Sequence, residues 1–246
     1  VFFFIVLLLY PFLIIVQAEL FGLNQKNLKF IPNKSWTKTT LNEALNYQDI
    51  DFLFIGSSHA YRGYDIRLFD KLGKSFNLGT TSQTPLQSYF LLKKYINILR
   101  PKYVIIDIYF PLFESDGIES SIDIISNFFS FDNFNLLFLN PNPVVLNTLI
   151  YSNYYYILKK DYNKQNKYSN KFDKYITGGF VERNIDFYNS KETLPRKNIK
   201  INPRQIKAFE NILTLLENRR IKFIIVHSPI TKNEYLSYLN TLELNK

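Results

Sequence analysis

Asp51-Phe52-Leu53-Phe54-Ile55-Gly56-Ser57-Ser58-His59-Ala60 is the stretch on which the fold of this chain turns. A short unbroken apolar run, closing at Ile55, reads as a strand buried on both faces. Gly56 lets the backbone turn sharply where the run ends. Ser57, Ser58 and His59 then fall on the rim of a sheet, and a hydroxyl there suits a nucleophile. A serine is a weak nucleophile until a base takes its proton, and it also needs donors for the oxyanion that develops.

Moving outward, the pattern alternates. Asp65 caps a helix over Ile66–Leu72. Ser75 to Leu78 forms a second strand ending at Gly79, and Asn77-Leu78-Gly79 closes it on the same rim. Pro85 suits the first turn of a helix running to about Leu99. Arg100-Pro101 stops that helix, because the residue before proline disfavours the α conformation. Tyr103 to Tyr109 is a third strand, with Asp107 as the surprising charge inside an apolar run. Much later, Asn202-Pro203 starts a helix with an apolar stripe at Ile206, Phe209, Ile212, Leu213 and Leu216. Ile221 to Val226 is a fourth strand with His227 at its end, and Thr231 caps a last helix to about Leu239. Strands alternating with helices predict an α/β fold, a flavodoxin-like parallel sheet with helices on both faces. Such sheets place ligands at the carboxyl ends of their strands.

Between the third and fourth strands lies a large insertion, residues 110–201, read as a lid or side subdomain. Its first half is rich in Phe and Leu, and a half rich in Lys, Asn and Tyr follows Leu158. Residues 159–222 hold 16 Lys and Arg against 7 Asp and Glu, so this stretch carries the whole formal net charge of +9. Either it is a solvated lysine-rich segment, or it attracts an anionic polymer or anionic lipid headgroups. No nucleic-acid-binding module accompanies it.

Val1 to Val16 is an apolar run broken only by Tyr10 and Pro11. It falls just short of the ~20 residues of a membrane span. The chain begins at Val1 and contains no Met. The expectation is therefore an N-terminal membrane helix or signal segment over residues 1–20, continuing upstream. A polar connector (21–48) follows, then an α/β domain (49–246) continuing beyond Lys246. There is no Cys, which excludes disulfides, thiolate metal sites and a cysteine nucleophile. With only two histidines, no metal site and no cofactor are expected.

Phe54 to Ala60, followed by Asn77-Leu78-Gly79, resembles the SGNH (GDSL-like) hydrolase superfamily. The likeness is nearest to its membrane-anchored branch of alginate O-acetylation and teichoic-acid D-alanyl transfer proteins. It covers residues 50–109 and, more loosely, 203–230. The resemblance implies that Ser58 is the nucleophile, that Ser57 stands where the family has Asp, and that Gly79 is an oxyanion donor. Ser57, His59, Arg62, Asn77, Asp107 and His227 become supporting or substrate-binding candidates. Two family blocks are missing: no Gly-x-Asn-Asp follows the third strand, and no Asp-x-x-His is found. That pair is expected beyond Lys246. A direct proton relay from Ser58 to His59 is not expected, since neighbouring side chains diverge. The implied protein is a single-pass membrane esterase or O-acyltransferase with an extracytoplasmic domain acting on a cell-envelope polysaccharide. The alternative is a non-catalytic polysaccharide-binding or accessory partner of a membrane-bound O-acyltransferase.

Overall fold

The computed structural model describes residues 2–158, 171–184 and 194–240, with side chains from Leu9 onward. Parts of the basic stretch (159–170 and 185–193) and the end of the chain (241–246) lie outside the described residues.

The run that decides the fold is β1 (Phe52–Ile55). It pairs in parallel with β2 (Ser75–Asn77) on one side and with β3 (Tyr103–Ile108) on the other. β3 pairs in parallel with β6 (Lys222–His227), which gives the order β2-β1-β3-β6. The register places Ile55 beside Ile106 and Ile108 beside His227. The carboxyl ends of three strands therefore meet at one rim.

The connecting helices stand where local signals put them. α4 spans Pro85–Leu99 with Pro85 in its first turn, and Arg100 ends it in the left-handed conformation at φ +47°. α9 spans Pro203–Asn218, and the Asn202 side chain caps it by accepting the Arg204 N–H. Asp65 does cap a helix, but only a four-residue 3-10 turn, Ile66–Phe69. α10 (Lys232–Ser237) is capped by Thr231 as expected.

The main core lies on one face of the sheet. Leu53, Ile55, Val104 and Ile106 pack there against Leu91, Leu92 and Tyr95 of α4 and against Ile212 and Leu216 of α9. Each such side chain contributes about 1.5–3 kcal/mol by leaving water. α2 (Thr37–Ala44) joins them through Leu41 and Ala44, so the polar connector is itself partly core. The first half of the insertion, which opens with α5 (Phe110–Glu114), is likewise no detached lid. α6 (Ile118–Asn127), α7 (Phe134–Leu139) and α8 (Pro143–Leu158) put Ile124, Ile125, Leu136, Val145 and Leu149 into this same core. Their apolar side chains are buried by the sheet's own helices, a long-range pairing that local periodicity does not carry.

Helices do not cover both faces equally. On the second face, Phe54 and Ile105 pack against Ile66 of the 3-10 turn and Phe180. Phe180 belongs to an antiparallel hairpin, β4 (Asp173–Ile176) and β5 (Phe180–Arg183), also from the insertion. Its turn needs Gly178 and Gly179, at φ +100° and +93°. The Gly178 carbonyl accepts the Asn77 N–H at 2.7 Å, which seats the hairpin on β2.

Among the described residues no helix is long and apolar enough to cross a membrane, so the expected N-terminal membrane helix finds no support there. The N-terminal run forms α1 (Phe2–Phe21). Its second half packs on the domain, with Ile14 and Ala18 buried against Phe30, Tyr151 and Tyr156.

Candidate functional site at the carboxyl rim

Gly56 leaves β1 at φ +150° and lies flush against β3. A Cβ at Gly56 would sit 2.9 Å from both the Cβ and the carbonyl oxygen of Asp107 and 3.1 Å from Ala60 Cβ. The glycine thus serves close approach as well as the turn. α3 (Ser58–Gly63) begins at once. Ser57 is buried, and its Oγ caps the helix by accepting the His59 N–H at 3.3 Å. Ser57 is therefore a structural hydroxyl. Ser58, the first residue of α3, is half-buried, and its hydroxyl makes no hydrogen bond among the described residues. Its backbone N–H has no intrahelical acceptor at that position.

Asp107 comes up beneath this turn, 3% exposed. Its Oδ2 accepts from the Tyr64 hydroxyl at 2.9 Å and from the Ser228 hydroxyl at 2.5 Å. Its Oδ1 is buried with no partner. Burial pushes the carboxyl above its ordinary range, while the Ser228 and Tyr64 hydroxyls and the nearby His59 and His227 oppose that push. His59 stacks on Tyr109, ring centroids 4.3 Å apart, and its Nδ1 is also buried without a partner. The rim thus holds an orphan ring nitrogen and an orphan carboxylate oxygen on residues whose charges interact. Buried polar atoms are nearly always paired, so two such atoms in one place mark a site. His227 is exposed on the same rim, and its ring lies 4.8 Å from that of Phe110.

Asn77 is wholly buried and stitches the second loop to α3. Its Nδ2 donates to the Ala60 carbonyl at 2.8 Å and to the Tyr64 carbonyl at 3.4 Å, and its Oδ1 accepts the Gly79 N–H at 3.0 Å. The Gly79 N–H expected to face an oxyanion is thus already engaged. Arg62 is also committed. It meets Asp173 through two bonds of 3.2 and 3.1 Å, and Arg183 meets the same carboxylate at 2.6 and 3.1 Å. Burial, the largest influence on Asp173, raises its carboxyl, yet the two guanidiniums hold it below the usual range. Arg62 thereby ties α3 to the hairpin rather than facing the rim alone.

Of the residues named from the sequence, Ser58, His59, Asp107 and His227 come together at the rim, while Ser57, Asn77, Gly79 and Arg62 hold the loops in place. Tyr64, Ser228 and Asp173 were missed. Ser228 had a signal, since it directly follows His227 at the strand end; Tyr64 and Asp173 had none, because their partners are distant in sequence. No group of His, Asp and Glu among the described residues is placed to hold a metal ion. Neither a family model, nor a curated protein, nor a solved structure matches this chain.

Proposed function

We propose that this protein is a membrane-associated, SGNH-like serine esterase or O-acyltransferase acting outside the cytoplasm on a cell-envelope polysaccharide. The β2-β1-β3-β6 order is read as the flavodoxin-like arrangement of that class. One observation carries the proposal: the Ser58 hydroxyl is uncommitted at the rim, beside His59 and Asp107, each with a buried atom lacking a partner. Ser58 Oγ attacks the acyl carbon, and the Ser58 N–H receives the oxyanion. The leaving alcohol departs with the proton taken from Ser58, and water or a second alcohol then releases the acyl group. Asp107 orients and stabilises an imidazolium at the rim. The base is the Asp-x-x-His pair that the family resemblance implies or, among the described residues, His227 on the same rim, since the adjacent Ser58 and His59 side chains diverge.

The bond from the Gly79 N–H to Asn77 favours a second reading, a polysaccharide-binding partner of a membrane-bound acyltransferase. Hydrolysis of p-nitrophenyl acetate and acetyl transfer to polysaccharide by the full chain separate the two. Ser58→Ala should lower both rates by roughly a hundredfold or more. Rates unchanged by that substitution refute the enzyme, and polysaccharide binding without turnover in the parent chain supports the partner.

A further inference from the structure

We infer that the apolar surface built by α1, α7 and α8 is the face on which this domain rests against a lipid bilayer. The inference rests on the membrane association proposed above and adds where the membrane lies relative to the domain.

Three observations carry it. First, α1 is locked to the domain. The Tyr10 hydroxyl donates to Asn147 Oδ1 at 2.6 Å, and the Tyr151 hydroxyl donates to Glu19 at 2.8 Å. Residues 2–9 continue α1 for roughly 12 Å beyond the Tyr10 clamp, with Pro11 inside the helix beside it. An apolar end seated in a bilayer therefore brings the clamped half of α1, and the domain with it, to the membrane surface.

Second, the side chains flanking the clamp are apolar and uncovered. Leu9, Phe12 and Leu13, spaced i, i+3 and i+4, form one stripe along α1 that is about half exposed. Phe134 and Phe138, one turn apart on α7, present 45% and 81% of their surface. A groove of about 490 Å³ joins the elements, lined by Pro11, Ile15, Phe134, Leu146, Leu149 and Ile157. Exposed apolar surface of this extent marks an interaction site.

Third, the rim chemistry suits lipid headgroups. Lys93, exposed on α4, shares the neighbouring groove with Phe138. An apolar face edged by a lysine with a long aliphatic stem matches an interfacial face, with rings in the acyl boundary and the ammonium group at the phosphates.

The chain has no Cys, so single labels are straightforward to place. Phe4→Cys, Phe138→Cys and Leu72→Cys are each made in the full chain and carry an environment-sensitive fluorophore. Leu72 is exposed outside the face. The proteins are reconstituted in phosphatidylcholine–phosphatidylglycerol vesicles containing nitroxide-labelled lipid. Blue-shifted emission with loss of most of the intensity at positions 4 and 138, and none at 72, is the expected result. Quenching at 4 but not at 138 overturns the docking face and leaves the membrane association standing. No quenching at either overturns both. A blue shift at 138 that needs no lipid and grows with protein concentration overturns the proposal in favour of a protein interface. Serine-dependent hydrolysis by the same samples is a separate readout, so losing it does not bear on where the membrane lies.

Discussion

Replacing Asn77 with Asp changes one buried atom and no volume, which makes Asn77→Asp a clean test of how the rim is held together. Asn77 is fully buried, and its Nδ2 gives one strong bond to the Ala60 carbonyl and a weaker one to the Tyr64 carbonyl. The new carboxyl oxygen would face both carbonyl oxygens as an acceptor. Ionised, it would meet repulsion at a position fully shielded from solvent, so the folded state favours its protonated form, in which the O–H donates to Ala60. A rise of about two to three pKa units over the ordinary Asp value of about 3.9 is expected from burial and facing acceptors. At about 1.4 kcal/mol per unit, the variant should lose about 3–4 kcal/mol at neutral pH. The sign is fixed by linkage. A carboxyl raised in the folded state is harmless below its unfolded pKa, and its cost grows as pH rises to the folded value. The loss relative to the parent should therefore nearly vanish near pH ~4 and reach its full size near pH ~7. Urea titrations read through Trp36, the only tryptophan, which stacks on Tyr175, give both numbers. A loss below about 1 kcal/mol at neutral pH, or an equal loss at both, would refute the argument.

Further outcomes use the same titration. Gly179→Ala should cost more than about 3 kcal/mol, because its Cβ would lie 1.9 Å from the Asn77 carbonyl oxygen at φ +93°. Gly63→Ala, with nothing within 4 Å, should stay within about 0.5 kcal/mol. Removing Arg62 alone leaves Arg183 on Asp173 and should cost about 1 kcal/mol or less. Removing both strands a carboxylate only 2% exposed and should cost about 3–5 kcal/mol, far more than additive. Asp123 accepts from Ser35 and Thr37 at 2.6 and 2.5 Å, and burial pushes its carboxyl up to about 6. Parent stability should therefore fall by about 3 kcal/mol as pH rises from its unfolded value toward 6, and Asp123→Asn should remove that part of the slope.

The sheet was legible because its signals are local. Phe52 to Ile55 is too short and too apolar for anything but a buried strand, and Gly56, Pro85, Arg100-Pro101 and Asn202-Pro203 set ends through sterics within a residue or two. The half of the insertion that enters the core was not legible. Ile124 and Leu149 need a particular surface to bury against, and periodicity names the face without naming its partner. The same holds for the second face of the sheet. Helices were expected there, and a hairpin covers it because two glycines let its turn press onto the Asn77 backbone.

Within the site the division is sharper. Chain order alone brought Ser58 and His59 to a strand end and Asp107 to another, since parallel strands carry their carboxyl ends to one rim. Only the tertiary structure decided that Asp107 takes Tyr64 and Ser228 while one oxygen stays unpaired, that the Gly79 N–H is engaged by Asn77, and that Arg62 is held by Asp173. Hydrogen bonds are settled over ångströms by whichever groups packing brings together, and residues up to 121 positions apart in the chain meet here.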